Sequence, residues 1–319
     1  MSILAAVLSA SVTVAGAPIP AETYIEAKGP SGPLKGTMVS PATPDAPIVL
    51  IIPGSGPIDR DGNSPAGLKA RSLKLLAEGL AANGIASVRI DKRGMYASAA
   101  AIPNANAVTI GDYASDVHAW ATAIRRRSGA NCIWVLGHSE GGLVALAAGR
   151  DSADICGLIL VSTAGRPLGA VLAEQLKSNP ANTPILDQAL SAIATLEGGQ
   201  HVEPSNLHPA LLPLFSPAVQ NYLIDAMAQD PAKLIAAFPK PVLILQGERD
   251  IQVGVHDAQL LKQAAPTAKL VLLRDTNHVL KTVTSDARNA NIATYADPSL
   301  PLAPGVVPSI AAFITTSRR

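Results

Sequence analysis

Ile48-Val49-Leu50-Ile51-Ile52 is a run of five branched apolar residues with no polar interruption, and it stops at Pro53-Gly54-Ser55-Gly56-Pro57. A strand with one wet face alternates apolar and polar residues. A strand that does not alternate needs cover on both faces, which is the condition of a parallel sheet between helical layers. Ile133–Leu136, Ile155–Ser162 and Val242–Leu245 are runs of the same kind, and Ala86–Ile90 and Lys269–Leu273 complete the series of predicted strands. Between them Leu73, Leu76, Ala77 and Leu80 recur at helical spacing, so a helix is predicted over 68–82 with Asn83-Gly84 as its stop. A second amphipathic helix is predicted over 111–127, with Arg125, Arg126 and Arg127 at the end where the helix dipole favours cations. Strands alternating with helices predict an α/β class: a mostly parallel, doubly wound sheet with right-handed crossovers. Residues 22–28 and 34–40, joined by the turn at 29–33, read as a hairpin leading into it.

The alternation breaks between 166 and 239. This stretch has helical segments at 169–176, 185–196 and 219–227 and no strand signal, the expectation being a helical lid (cap) inserted into a core made of 22–165 and 240–319. Leu211, Leu212, Leu214 and Phe215 would mainly form the lid's own core, and Leu212 and Phe215 are the candidates for substrate contact. Residues 1–21 form an N-terminal extension. Met1–Ala17 is apolar and ends in Ala15-Gly16-Ala17, as a secretory signal does, yet no Lys or Arg precedes Lys28. Two readings stay open: a periplasmic or secreted protein if the segment acts as a signal, a cytoplasmic one otherwise.

Several function classes are excluded by composition. The 319 residues carry a net charge of +1 with acids and bases interspersed, so nothing points to nucleic acid, and the expected partner is a small neutral molecule. No later stretch is long and apolar enough for stable membrane insertion. The six histidines have no metal-ligand spacing, and no metal is expected. Asp59-Arg60-Asp61-Gly62-Asn63 opens like a calcium loop, but Ser64 stands where that loop needs glycine and Ala70 where it needs glutamate; it reads as a charged, solvated rim. Cys132 and Cys156 both begin buried strands, leaving plain packing and a single disulfide as the two readings. Oligomeric state is not legible.

Chemistry enters at Gly137-His138-Ser139-Glu140-Gly141-Gly142, directly after a buried strand and before an Ala-rich helical stretch. A G-x-S-x-G pattern in that setting describes a sharp strand-to-helix turn that lifts a serine hydroxyl above the sheet, with glycines two residues either side because side chains would collide. Ser139 is therefore the candidate nucleophile. The N–H of Glu140 falls at the helix start, where unpaired donors can stabilise an oxyanion. The turn Pro53–Pro57 follows another strand at the same end of the sheet and offers the N–H of Gly54, Ser55 or Gly56 as a second donor, its prolines having none. Asp250 lies just past Val242–Leu245 and His278 just past Lys269–Leu273. In the order Ser139, Asp250, His278 these residues suit a nucleophile, an orienting acid and a general base, with Glu248 and Asp275 as rivals for the acid. Asp91-Lys92-Arg93-Gly94 reads either as a lining of the site or as a structural ion-pair loop.

Taken together, Gly54-Ser55-Gly56-Pro57 with Asp59-Arg60-Asp61-Gly62, Asp91-Lys92-Arg93-Gly94, the serine turn, Gly247-Glu248-Arg249-Asp250, Asn277-His278-Val279-Leu280-Lys281 and Tyr295-Ala296-Asp297-Pro298 resemble the α/β-hydrolase superfamily. Within it the chain is similar to the lidded bacterial serine carboxylesterases, over nearly its whole length after residue 22. The resemblance implies hydrolysis of short-chain acyl esters without a cofactor, a triad of Ser139, Asp250 and His278, and an oxyanion hole from the N–H groups of Ser55 and Glu140. Where the family commonly has His-Gly, this chain has Pro53-Gly54, so the choice among Gly54, Ser55 and Gly56 stays open. The same residues would also serve a serine peptidase or thioesterase, or a hydrolase-like protein kept only for ligand binding.

Overall fold

The structure, a computed structural model, describes residues 21–43 and 45–317; the signal-like stretch Met1–Ala17 lies outside the described residues. The strands are β1 (Ala21–Lys28), β2 (Pro33–Ser40), β3 (Ile48–Ile52), β4 (Ala86–Ile90), β5 (Ile133–His138), β6 (Ile155–Val161), β7 (Val242–Gly247) and β8 (Lys269–Leu273). The helices are α1 (Ser72–Ala82), α2 (Ile110–Ser128), α3 (Glu140–Ala148), α4 (Leu168–Lys177), α5 (Leu186–Glu197), α6 (Leu212–Phe215), α7 (Pro217–Met227), α8 (Pro231–Ala236), α9 (Val255–Ala264), α10 (Arg288–Ala293) and α11 (Val306–Thr316). The strands form one sheet in the order β1-β2-β4-β3-β5-β6-β7-β8. β1 and β2 join antiparallel, and every pairing from β4 to β8 is parallel.

Strand residues divide by parity. Leu50, Ile52, Val88, Ile90, Val135, Leu158, Leu160 and Ile244 point to one face, where α2, α3 and α9 bury them with Trp120, Ile124, Val144 and Leu261. Val49, Ile51, Leu136, Ile159, Val161, Leu243 and Leu245 point to the other, against Leu76 and Leu80 of α1 and Ile310 and Phe313 of α11. The apolar runs of β3, β5, β6 and β7 are thus unbroken because both of their faces are core. β8, at the sheet edge, is half-exposed.

The helix ends follow the local chemistry. Thr109 and Asp112 form a reciprocal capping box at the start of α2, and Gly129, at φ 75°, ends it in the left-handed region. α1 begins at Ser72, later than the apolar spacing alone implied, because the preceding residues are held by loop bonds such as Lys69 N–H to Tyr295 C=O at 2.8 Å. Cys132 and Cys156 are joined as a disulfide between the starts of β5 and β6.

The order β4-β3-β5 places a topological switch at the carboxyl ends of β3 and β5. The chain leaves β3 towards α1 on one face and leaves β5 towards α3 on the other, so the loops part and a crevice opens between them. Between β6 and β7 the chain runs through α4 to α8. Residues of α5 to α7 build a separate cluster of Ala189, Ile193, Leu196, Phe215, Leu223 and Met227, whereas Ile235 and Phe238, around α8, return to the main core. Among the described residues no helix is long and apolar enough to cross a membrane.

Candidate active site

The serine turn is the tightest point of the crevice. Ser139 has φ 56° and ψ −121°, a strained conformation for a residue with a side chain, and Glu140 begins α3 immediately after it. A Cβ at Gly137 would stand 2.0 Å from the Gly141 carbonyl oxygen, and one at Gly141 would stand 2.4 Å from the Ile52 carbonyl oxygen. The glycines are therefore required by packing, and they bring the end of β3 against the start of α3. Gly54 completes the contact, since a Cβ there would lie 3.3 Å from the Cβ of Ser139.

His278 and Asp250 meet on the loops after β8 and β7. His278 Nδ1 is 2.8 Å from Asp250 Oδ2, and the Asp250 side chain is wholly buried. The other Asp250 oxygen accepts the N–H of Gln252 at 2.8 Å and of Val253 at 3.0 Å. Burial pushes the Asp250 carboxyl up, but the neighbouring imidazole and these hydrogen bonds outweigh it and hold the pKa below the ordinary aspartate value. The two rival acids are elsewhere: Asp275 faces Arg249 at 3.9 Å, and Glu248 is exposed. Asn277 braces the histidine loop through bonds to Asn291 at 3.0 Å and Thr294 at 2.7 Å, while its side-chain Oδ1 accepts the N–H of Lys281 at 2.9 Å.

Ser139 and His278 line one cavity of about 140 Å³, together with Gly54, Ser55, His138 and Tyr295. A second cavity of about 290 Å³ shares Ser55 with it. Its apolar wall comes from Leu168, Leu172, Leu214 and Leu223 of the helical insertion, and its polar end from Lys92, Tyr113, Glu140 and Tyr222. The structure puts the expected lid contacts one residue away. Phe215 is fully buried in the insertion's own core and Leu212 packs against that core, so the residues between them, Pro213 and Leu214, face the cavity. Apolar composition alone does not distinguish these residues.

The charged loops are more internal than their sequence implied. Asp59 accepts the N–H groups of Asp61 and Asn63 at 2.9 and 2.8 Å, Arg60 bonds the nearly buried Asp91 at 2.9 and 3.1 Å, and Asp61 pairs with the buried Arg89. These carboxylates are spent on internal partners instead of solvent. Both readings of Asp91-Lys92-Arg93 have a share: all three make ion pairs, Arg93 with Asp112 and Asp116 at 2.9 and 2.7 Å and Lys92 with Glu140 at 3.2 Å, and Lys92 also lines the second cavity. Among the described residues no cluster of three or more His, Cys, Asp or Glu could hold a metal ion.

Sequence reasoning passed over His138. Its ring packs on that of His278 with centroids 4.9 Å apart, and its Nε2 lies 2.8 Å from the His278 carbonyl oxygen. A carbonyl only accepts, so Nε2 carries the proton. Burial and then the adjacent His278 pull the His138 pKa down to about 4, which keeps it neutral near pH 7. The signal was its place inside the serine turn, next to Ser139. Tyr113 and Tyr222 stack edge to face at 6.3 Å, one from the core and one from the insertion, a pairing with no short-range signature.

Comparison with known proteins extends these observations. The curated esterase EstD of Thermotoga maritima is 27% identical over 238 residues; the match covers 73% of this chain and 54% of that protein, so the chain spans about half of the relative's length. Among solved structures, Est1E from Butyrivibrio proteoclasticus superposes with a TM-score of 0.57 at 18% identity, covering 93% of this chain and 98% of that one. The α/β hydrolase GrgF from Penicillium gives 0.59 at 18% identity, covering 93% and 99%. At such identities the superpositions establish the fold. The sequence profile described as serine aminopeptidase S33 matches residues 67–281, about two thirds of the chain, and the protein belongs to this family of α/β hydrolases.

Proposed function

We propose that the protein is a serine carboxylesterase acting on short-chain acyl esters through an acyl-enzyme. The observation that carries this reading is the His278–Asp250 hydrogen bond of 2.8 Å at a cavity that Ser139 also lines. The similarity to an esterase from Thermotoga maritima supports it. His278 takes the proton of the Ser139 hydroxyl as the oxygen attacks the ester carbonyl, and Asp250 holds the imidazole and stabilises its charged form. The tetrahedral oxyanion is received by the N–H groups of Ser55 and Glu140, with Gly54 shaping the turn. His278 then gives its proton to the departing alcohol, and a water activated by the same imidazole releases the acid and restores Ser139. The helices of 166–239 act as the lid, and the second cavity, near the small end of the range for small-molecule sites, sets the size of the group accepted.

Hydrolysis of p-nitrophenyl esters from acetate to laurate by wild type and Ser139→Ala tests this. Short esters should be cleaved, and the variant should lose roughly a million-fold in turnover with an unchanged melting temperature. A variant as active as wild type would remove Ser139 from the mechanism. The family's description as aminopeptidases favours a second reading, hydrolysis of an N-terminal peptide bond by the same residues. Matched ester and amide substrates separate the two: an amide preferred over its ester would replace the first reading with the second.

A further inference from the structure

Lys92 is buried, unused by the triad, and bonded to both sides of the crevice. Its ammonium donates to the Gly54 carbonyl oxygen at 2.7 Å and to Glu140 Oε1 at 3.2 Å, and it stands 5.3 Å from the centroid of the Tyr113 ring. Lys92 follows β4 and Gly54 follows β3, while Glu140 opens α3 after β5. Three neighbouring strand ends therefore converge on one cation.

We propose that Lys92 is a positioning residue for the oxyanion hole, holding both of its backbone donors through Gly54 and Glu140; this rests on the esterase reading. The argument begins with the planar trans peptide. In such a unit the C=O and the N–H point in opposite directions and turn together. The carbonyl of Gly54 and the N–H of Ser55 belong to one peptide, so fixing the carbonyl on Lys92 aims the Ser55 N–H away from Lys92. A Cβ at Gly54 would stand only 3.3 Å from that of Ser139, and Gly54, Ser55 and Ser139 line one cavity, so that N–H is presented at the serine turn. In this turn it is the Gly54–Ser55 peptide whose carbonyl is held by a buried cation, which selects Ser55 over Gly54 and Gly56 as the donor. On the other side the same ammonium holds the side chain of Glu140, the residue whose own N–H heads α3. A charge-assisted bond at each side is stronger than a neutral one, and burial removes competing water.

The geometry leaves Lys92 no part in proton transfer, so its loss should lower the rate of chemistry more than substrate binding. Lys92→Met keeps the length and apolar stem and removes the donors. Its kcat for p-nitrophenyl butyrate should fall about ten- to a hundredfold, a fraction of the hundred- to thousandfold that losing a whole oxyanion donor costs. KM should stay within threefold, and affinity for an alkyl boronic acid that forms a tetrahedral adduct on Ser139 should fall in parallel with kcat. Glu140→Gln, which keeps the backbone donor and the side-chain volume, should cost about threefold to tenfold, and the double variant should be no worse than Lys92→Met because the two act as one unit. Lys92→Arg should recover part of the loss.

A folded Lys92→Met with kcat and boronate affinity within twofold of wild type overturns the proposal. So does a fall confined to KM. If Lys92→Met does not fold, Glu140→Gln decides: unchanged kcat and boronate affinity overturn it. Failure of the underlying reading looks different, because then wild type itself would cleave no ester, or Ser139→Ala would cleave it equally well.

Discussion

The sheet core and the helical insertion are held by different means. In the core, strand residues of both parities are buried, and the clusters on the two faces run across β3, β5, β6 and β7. The insertion has a smaller cluster around Phe215; it meets the core through a few apolar residues, Ala226, Leu168 and Tyr222 among them, and through directional polar bonds. The Asp225 carboxylate accepts the Ile110 N–H at 2.7 Å, Arg166 pairs with Asp257 at 2.7 Å, and Gln175 donates to the Gln252 carbonyl at 2.8 Å. Burial over a large area gives a cooperative unit that opens only as a whole, whereas a few polar links allow a segment to open by itself. Ser139, Asp250 and His278 stand on the first kind of structure, and Leu172, Leu214 and Leu223 of the second cavity's wall stand on the second.

Truncating each cluster would break that comparison if it is wrong. Leu160→Ala should destabilise the whole molecule by about 2–5 kcal/mol, lowering the denaturation midpoint in a single transition. Phe215→Ala should cost about 3–5 kcal/mol as well, but within the insertion. Hydrogen exchange should then accelerate over 186–227 while β5 and β6 keep their protection. Equal loss of protection in both regions would mean that the two are one cooperative unit.

The core's site should also have its own pH signature. The pKa of His138 is about 4 in the folded protein against about 6.5 for a free imidazole, so below pH 6.5 the unfolded chain binds the proton that the folded one refuses. Stability is unaffected above that value and falls as pH drops from about 6.5 to about 4, by about 3 kcal/mol in all. Denaturant titrations across this range should show that slope, and His138→Gln should flatten it; an unaltered slope would put the titration elsewhere.

The smallest effect is expected at a single tether. Asp225→Ala removes the acceptor for the Ile110 N–H and should cost about 1–2 kcal/mol, read as faster exchange in α7 with little change in the global midpoint. A change of similar size throughout the core would mean that this tether is integral to the main fold.

The serine turn was legible because its requirements are local: a strand, two glycines that leave space for backbone, and a helix start all lie within a few residues. The partner of His278 was less so. Glu248, Asp250 and Asp275 all follow strand ends, and only the approach of the β7 and β8 loops sets Asp250 against His278. His138 and Lys92 were in view as members of motifs, but what they touch lies 140 and 38 residues away in the chain. Leu212 and Phe215 failed as cavity contacts because apolar residues in a short helix read alike whether they face a cluster or a cavity.

Taken by itself, the order of apolar runs, helical spacings and punctuating glycines and prolines determined the α/β class, the break between β6 and β7, and Ser139 at the head of α3. These follow from steric and periodic rules that act over a few residues. Tertiary structure decided which carboxylate meets the imidazole, which peptide of the β3 turn is anchored, whether the two cysteines join, and which insertion residues face the cavity. Each of these depends on distances between strands far apart in the chain, and sheet order and packing set those distances.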